Sequence, residues 1–217
     1  IGEYLLKKME EDERVIAINA ATPTVLGFTK DRREQAGKRF VDVGIAEENA
    51  VAMASGMAKY GARPVWGVYS TFAQRTFDQI SQDVCINKSP VTMLLFGASV
   101  DFMNDVTHLG FYDIPLISNI PNLVYLAPTT AEELFRMLDE AIAQTEYPVA
   151  IRVPVTVRHG KKDETDYFKK LNTARVVKKG RDIAIIAAGN FMELGEKVAA
   201  EAEKRGVSPT LIDPVYL

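Results

Sequence analysis

Short hydrophobic runs recur along this chain, and each run is nearly continuous rather than alternating with polar residues. Proline, glycine or charged residues bound the runs, which is typical of strands that are covered on both faces. The runs lie at 14–20, 39–44, 63–70, 90–97, 122–128 and 148–154. Helical patterns follow three of them, at 47–61, 72–88 and 130–144. This alternation predicts an α/β fold with a doubly wound, mostly parallel sheet and helices on both faces.

The sequence changes character after residue 157. Residues 158–180 are highly charged and are predicted to form a connection. Beyond them, 183–189 and 210–213 are predicted strands and 191–206 a helix, a unit too small to bury a core of its own. We therefore predict a first α/β domain over 1–157, a charged connection over 158–180 and the beginning of a second α/β domain over 181–217. We expect the chain to be part of a longer polypeptide.

The composition of the 217 residues excludes several classes of protein. A formal net charge of −3 gives no basic field that would attract nucleic acid. The longest apolar runs are far too short to span a membrane. The single Cys85 cannot form an internal disulfide and no signal peptide is visible, so we expect a cytoplasmic protein. Nucleotide-binding glycine motifs and zinc-ligand spacings are absent from the sequence.

Two carboxylates, Glu47 and Glu48, begin a helix that otherwise consists largely of small and apolar residues. At ~100° per residue, Glu47 shares a stripe with Val51, Ala54 and Ala58, whereas Glu48 lies on the more polar side. Both acids could simply complement the helix dipole, which is worth about 0.3–1 kcal/mol each. Alternatively Glu47 has a function, because a carboxylate on a packing face needs a partner or a raised pKa.

Two neighbouring loops carry further candidate residues. Tyr69, Phe72 and Arg75 follow the third predicted strand, and His108 follows the fourth. Taken singly, they are better explained as core aromatics, a solvated arginine and an incidental loop histidine. Because the carboxyl ends of parallel strands meet at one edge of a sheet, we expect them to converge with Glu47. A buried acid, a stacking aromatic ring and a histidine predict a site for a planar, protonatable ring.

Three stretches carry a resemblance to a known family: RFVDVGIAEENAVAMASGMA, YSTFAQRTFDQISQDVCINKSPVTML and DVTHLGFYDIPLISNIPNLVYLAPTTAEEL. Together they resemble the pyrimidine-binding domain of transketolase-family thiamine diphosphate enzymes, most closely the 1-deoxy-D-xylulose-5-phosphate synthases. The resemblance covers roughly residues 1–155, and residues 180–213 resemble the beginning of that family's C-terminal domain. It implies a homodimeric enzyme of isoprenoid precursor biosynthesis that condenses a 2-oxo acid with an aldose phosphate.

The resemblance also implies roles for individual residues. Glu47 matches the glutamate that hydrogen-bonds N1′ of the aminopyrimidine, an exchange of protons that prepares the cofactor for reaction. Phe72 matches the ring that stacks on the pyrimidine, with Tyr69 and Arg75 as further cofactor-binding neighbours. His108 matches a histidine that assists proton transfer on the substrate, so Glu47 and His108 are the predicted catalytic residues.

The sequence departs from the family pattern on the acceptor side. Gly97 and Val155 stand where the synthases have phosphate-binding arginines, with Arg158 and His159 nearby as candidate substitutes. Asn104-Asp105 replaces a glycine-rich element before the histidine. These changes indicate a synthase-like protein with a different acceptor.

The family's magnesium and diphosphate motif is absent from these 217 residues. We therefore expect the Mg²⁺ ligands and a diphosphate-binding domain in further sequence or in a separate subunit, and no activity from this segment alone. The small-residue face of Ala50, Ala54 and Ala58 is the predicted dimer surface. Two alternatives remain open: the C-terminal subunit of a split transketolase that moves a two-carbon ketol unit, and a non-catalytic paralogue that retains the fold and dimer surface.

Overall fold

The computed structural model describes residues 1–100, 106–153 and 155–217. Nine strands lie in these ranges: β1 Val15–Asn19, β2 Phe40–Asp42, β3 Arg63–Tyr69, β4 Thr92–Phe96, β5 Val124–Leu126, β6 Val149–Val153, β7 Arg175–Lys178, β8 Ile183–Ile186 and β9 Pro209–Asp213. The first six form one parallel sheet of order β2-β1-β3-β4-β6-β5. The predicted α/β fold with a mostly parallel sheet is confirmed.

Seven α-helices accompany the strands in the described ranges: α1 Gly2–Glu11, α2 Lys30–Ala36, α3 Glu47–Lys59, α4 Phe77–Gln79, α5 Asp113–Ile117, α6 Ala131–Ala143 and α7 Met192–Lys204. Helix α6 begins at a predicted cap, because the Thr130 hydroxyl accepts a hydrogen bond from the Glu133 amide at 3.2 Å. Within these ranges, no helix combines the length and the apolar character needed to cross a membrane.

The sheet is buried on both faces, as its near-continuous hydrophobic strands predict. On one face, α1 and α6 pack together with Leu26 and Phe28. On the other face, α3 packs against Trp66 and a π-helix at Ile80–Ile86. Side chains alternate along a strand, so β1 places Ala17 in the first layer and Ile18 in the second.

The single helix predicted for 72–88 is wrong in detail. The chain forms a 3₁₀-helix at Phe72–Thr76, then α4, then the π-helix. Two hydroxyls bond carbonyls three residues earlier: Thr76 to Ala73 at 2.8 Å and Ser81 to Asp78 at 2.9 Å. Such side-chain bonds compete with the regular helical ladder.

The small-residue face of α3 does not form a surface. Ala50, Ala54 and Ala58 are 0%, 0% and 7% exposed and belong to the core between α3 and the sheet. Their small size allows the helix to approach the strands closely. The prediction that this face forms a dimer contact is therefore wrong, because it is already covered within the chain.

The C-terminal residues form a small second sheet of order β7-β9-β8. The predicted strand–helix–strand unit is present as β8, α7 and β9, with β8 parallel to β9. Strand β7 was not predicted and lies within the charged connection, antiparallel to β9. Its sequence RVVK has a charged residue at each end, as edge strands often do. These charges make the sequence resemble the charged connection rather than a strand.

Arg175 joins this small sheet to the first domain. Its Nη2 lies 2.6 Å from Glu133 at the start of α6 and 2.6 Å from Asp213 at the end of β9. Both carboxylates are buried, Asp213 to 1% exposure. Burial raises the pKa of Asp213 despite the neighbouring arginine. The negative charge of Asp213 would therefore be costly to bury without Arg175.

We predict that Arg175→Ala lowers the free energy of unfolding by about 2 kcal/mol, because two buried carboxylates then face each other unpaired. Arg158→Ala is a matched control: Arg158 is about as exposed as Arg175, at 36% against 40%, but its partner Glu196 is 40% exposed. We expect the control to lose only about 0–1 kcal/mol. Urea unfolding measures both variants, and equal losses would contradict the role given to Arg175.

Candidate functional site

Glu47 is the first residue of α3 and lies at the carboxyl edge of the large sheet. Its side chain is 4% exposed. Arg75 Nη1 is 3.3 Å from its Oε2, yet no donor in the described ranges is aligned to hydrogen-bond this oxygen. The ion-pair distance and the missing hydrogen bond are compatible, since the guanidinium N–H groups point elsewhere. A buried carboxylate oxygen with unused acceptor capacity is rare and indicates a place for a ligand donor.

Arg75 lies between the two glutamates, on the 3₁₀-helix that follows β3. Its Nε is 3.5 Å from Glu48 Oε1, and its side chain is 50% exposed. Glu48 is 39% exposed, so the helical pattern correctly predicts that the two acids differ in burial. The arginine offsets the negative charge of both carboxylates while remaining accessible to solvent.

Tyr69, Phe72 and His108 form an aromatic group at the same edge. The ring centroids of Phe72 and His108 are 5.2 Å apart, and those of Tyr69 and Phe72 are 5.6 Å apart, with the planes at 65° and 89°. The Tyr69 and His108 centroids are 6.1 Å apart. Since Phe72 and Arg75 share one 3₁₀-helix, the aromatic group and the two glutamates adjoin, as predicted.

The segment that carries His108 is anchored to the residues that directly follow β3. Ser70 donates a hydrogen bond to the Gly110 carbonyl at 3.2 Å, and Thr71 donates one to the Thr107 carbonyl at 3.3 Å. A Cβ on Gly110 would lie 1.9 Å from the Ser70 hydroxyl and 2.3 Å from the Gly97 carbonyl, so only glycine fits. His108 Nδ1 lies 2.9 Å from the Thr107 hydroxyl.

A buried polar cluster that sequence reasoning missed fixes the end of the same segment. Arg152 on β6 contacts Asp113 at 2.7 and 3.2 Å, and Tyr125 on β5 also donates to Asp113. Their exposures are 8%, 2% and 2%. Burial and the Asp113 carboxylate hold the pKa of Tyr125 well above its usual range, so its hydroxyl remains a donor. The sequence does contain an indication of this cluster: an arginine lies inside the apolar run PVAIRVP, and a buried arginine requires a partner.

The candidate substitutes for phosphate-binding arginines already have partners. Arg158 makes two hydrogen bonds to Glu196 of α7, at 2.6 and 2.9 Å. His159 Nδ1 lies 3.1 Å from Glu132.

The two positions where the synthases have arginines lie at the ends of neighbouring strands. Val155, after β6, is 43% exposed, and Gly97, after β4, has a backbone φ of +64°. The Asn104-Asp105 element lies outside the described residues.

Within the described ranges, no group of three histidine, cysteine or acidic side chains could hold a metal ion. The expectation that Mg²⁺ is bound elsewhere stays a prediction.

The parallel sheet, with a buried carboxylate and aromatic rings at its carboxyl edge, places this chain among the α/β domains, which commonly bind ligands at that edge. Residues 1–157 match the family model described as transketolase, pyrimidine binding domain. The chain belongs to this family.

Curated relatives carry the name 1-deoxy-D-xylulose-5-phosphate synthase. The protein of Clostridium acetobutylicum is 35% identical over 221 residues, and that of Syntrophomonas wolfei is 38% identical over 217. Each alignment covers 100% of this chain but only 35% and 34% of the relative. The chain thus spans about a third of the length of these relatives.

Solved structures show the same fold. A transketolase from Pichia stipitis, in complex with sedoheptulose 7-phosphate, has a TM-score of 0.83 at 18% identity and covers 98% of this chain and 33% of its own. A split-gene transketolase described as an inactive beta4 tetramer has a TM-score of 0.76 at 24% identity. That match covers 100% of this chain and 70% of the split-gene chain.

We predict that Asp113→Ala destabilises the protein by about 3–5 kcal/mol, because Arg152 would be left as a buried charge without a partner. Asp78→Ala, at an exposed position of α4, is the control and should stay within about 0.5 kcal/mol of the parent. Denaturant unfolding measures both. A loss at Asp113 no larger than at Asp78 would mean that the buried cluster does not hold this edge together.

Proposed function

We propose that this chain is the pyrimidine-binding part of a thiamine diphosphate-dependent transferase of the 1-deoxy-D-xylulose-5-phosphate synthase type. The observation that carries the proposal is the Glu47 carboxylate: it is buried, and its Oε2 retains an unused acceptor site. Membership of the transketolase pyrimidine-binding family and the relatives' common name support it. Bound thiamine diphosphate would supply a nucleophilic carbon and an electron sink for chemistry on a 2-oxo acid.

In this proposal Glu47 shares a proton with the pyrimidine ring nitrogen N1′. Its side chain is 4% exposed, so little water competes with the ring nitrogen for this carboxylate. Arg75, 3.3 Å away, would lie beside the same carboxylate. Glu48 would act only through Arg75 and the helix dipole.

The aromatic group would orient the cofactor and the substrate. Phe72 offers a ring for the pyrimidine to stack on, and Tyr69 packs edge-on against it at 89°. His108, next to Phe72, would give or take a proton at the substrate carbonyl oxygen. The anchors at Ser70, Thr71 and Asp113 would hold the histidine at this position.

The proposal extends to parts that these 217 residues do not supply. Mg²⁺ and the diphosphate group would be bound by a further domain, on the same polypeptide or on a separate subunit. A homodimer and a cytoplasmic location are proposed with it. The proposed substrates are a 2-oxo acid and an aldose-type acceptor.

A split transketolase remains the nearest alternative, with the diphosphate-binding domain on another subunit. The two functions differ in the donor: a synthase-type enzyme consumes pyruvate, whereas a transketolase takes a two-carbon unit from a ketose phosphate. Turnover of the complete protein with each donor separates them. A non-catalytic paralogue would turn over neither.

We predict that Glu47→Gln, in the complete protein, slows hydrogen–deuterium exchange at C2 of bound thiamine diphosphate by ~10²–10⁴-fold, the usual worth of a general acid–base group. Glutamine keeps the volume and can hydrogen-bond, so much of the cofactor affinity should remain. Glu48→Gln is the matched control at the next residue and should exchange at close to the parent rate.

The exchange is read by NMR after acid quench, with cofactor binding measured first by calorimetry. Matched exchange rates in the two variants would refute the role of Glu47. Absence of binding to the parent protein would favour the non-catalytic alternative.

A further inference from the structure

A polar cleft, here called the edge cleft, lies where the carboxyl edge of the large sheet meets the connection from β8 to α7. Its volume is about 210 Å³, and its lining consists of Thr129, Thr156, Val157, Arg158, Asn190 and Glu193. Three of the wall segments follow different strands: residue 129 comes after β5, residues 156–158 after β6 and residue 190 after β8. Ligands of parallel sheets bind at this edge, so the edge cleft is a candidate ligand site.

Contacts within the chain hold the two walls of the edge cleft together. Arg158 makes hydrogen bonds of 2.6 and 2.9 Å to Glu196 of α7, and its carbonyl accepts one from the Ala131 amide of α6 at 3.0 Å. A Cβ on Gly189, whose φ is +57°, would lie 3.5 Å from the Pro128 carbonyl. The 3₁₀-helix at Gly189–Phe191 therefore packs closely on the segment after β5, and the cleft is formed without a ligand.

The side chains of the edge cleft offer both donors and acceptors. Each of the two bonds from Arg158 to Glu196 uses one terminal nitrogen, and the guanidinium carries further N–H donors. Glu193 accepts a bond from Lys197 at 2.6 Å, and a carboxylate can accept several such bonds. The exposed Thr156 adds a hydroxyl group that can donate or accept.

This combination of groups suits a chain of hydroxyl groups. A hydroxyl donates one hydrogen bond and accepts others, so it can donate to Glu193 and accept from Arg158 or Thr156. The charges around the cleft form two opposite pairs, Arg158 with Glu196 and Glu193 with Lys197. The volume is below the ~300–1,000 Å³ of sites for drug-sized ligands, which suits part of a small sugar rather than a whole cofactor.

The order of the strands places the edge cleft beside the aromatic group. Strand β6 pairs with β4, which precedes the segment of His108, and Val153 is opposite Phe96 in this pair. Strand β4 pairs with β3, which leads to Phe72. At ~4.8 Å between neighbouring strands, the end of β6 is ~5 Å from that of β4 and ~10 Å from that of β3. A substrate held at the aromatic group can therefore extend along the edge into the cleft.

We propose that the edge cleft binds the hydroxyl-bearing end of the acceptor aldehyde, with Glu193 and Thr156 as specificity-determining residues. This inference rests on the proposed function and locates one of its substrates. The aldehyde carbon of the acceptor lies near His108, and the far end of its carbon chain donates to Glu193. Residues after β8 thus take part in choosing the acceptor, although the proposed catalytic residues all belong to the large sheet.

The test compares D-erythrose with the shorter glycolaldehyde as acceptors, using the complete protein with thiamine diphosphate, Mg²⁺ and pyruvate. Glycolaldehyde ends before the edge cleft, whereas D-erythrose reaches it. We expect Glu193→Ala to lower the ratio of kcat/KM for D-erythrose to that for glycolaldehyde about tenfold, because a hydrogen bond to a charged group is lost. Thr156→Val, which removes a neutral partner, should lower this ratio roughly threefold. Both positions are exposed, so the fold should tolerate the changes.

Glu201→Ala is the matched control. Glu201 is also an exposed glutamate of α7 with a lysine partner, Lys204 at 3.3 Å, and it does not line the cleft. Its ratio should equal that of the parent. An unchanged ratio in Glu193→Ala, or a parent that uses glycolaldehyde but not D-erythrose, would overturn the inference and leave the proposed function intact. No release of CO₂ from pyruvate with either acceptor would instead refute the proposed function and the inference with it.

Discussion

Six parallel strands that end at one edge are the constraint on which the site depends. Parallel pairing with helical crossovers sends each following segment to the same side of the sheet. Residues far apart in sequence therefore meet there: Glu47 after β2, Phe72 after β3 and His108 after β4. The hydrophobic layers on both faces keep the strands in register. The packing of the core therefore fixes where these side chains lie.

At this edge, Glu47 is buried and yet incompletely hydrogen-bonded. Its side chain is 4% exposed, Arg75 Nη1 lies 3.3 Å from its Oε2, and no donor in the described ranges is aligned to that oxygen. Oε2 therefore keeps an acceptor site open. Arg152 is paired differently: it lies deep in β6 and makes two well-aligned bonds to Asp113, which suits a structural tie rather than proton exchange.

Sequence patterns predicted the parts of the fold that depend on local burial. Strands covered on both faces are continuous hydrophobic runs, and the threonine cap of α6 is a local hydrogen bond, so both were predictable. The burial of Glu47 followed from the helical stripe it shares with Val51. Strand β7 was not predictable, because its charged edge sequence pairs only through contacts with β9.

Contacts between distant residues set the limit of sequence reasoning at the site. The bond between Asp113 and Arg152 spans 39 residues, and an arginine in an apolar run reveals that a partner exists but not which one. The edge-on contact of His108 with Phe72 likewise joins residues that no periodic sequence pattern links. The small residues of α3 were correctly recognised as a close-packing face, but only the structure shows that their partner is the sheet of the same chain.

The central claim is that Glu47 receives the pyrimidine ring of thiamine diphosphate. A crystal structure of the complete protein with thiamine diphosphate and Mg²⁺ tests it most directly. The account predicts a ring nitrogen within about 2.6–3.2 Å of a Glu47 carboxylate oxygen, with the ring lying against Phe72. A pyrimidine ring bound elsewhere, with Glu47 still facing Arg75 alone, would contradict it.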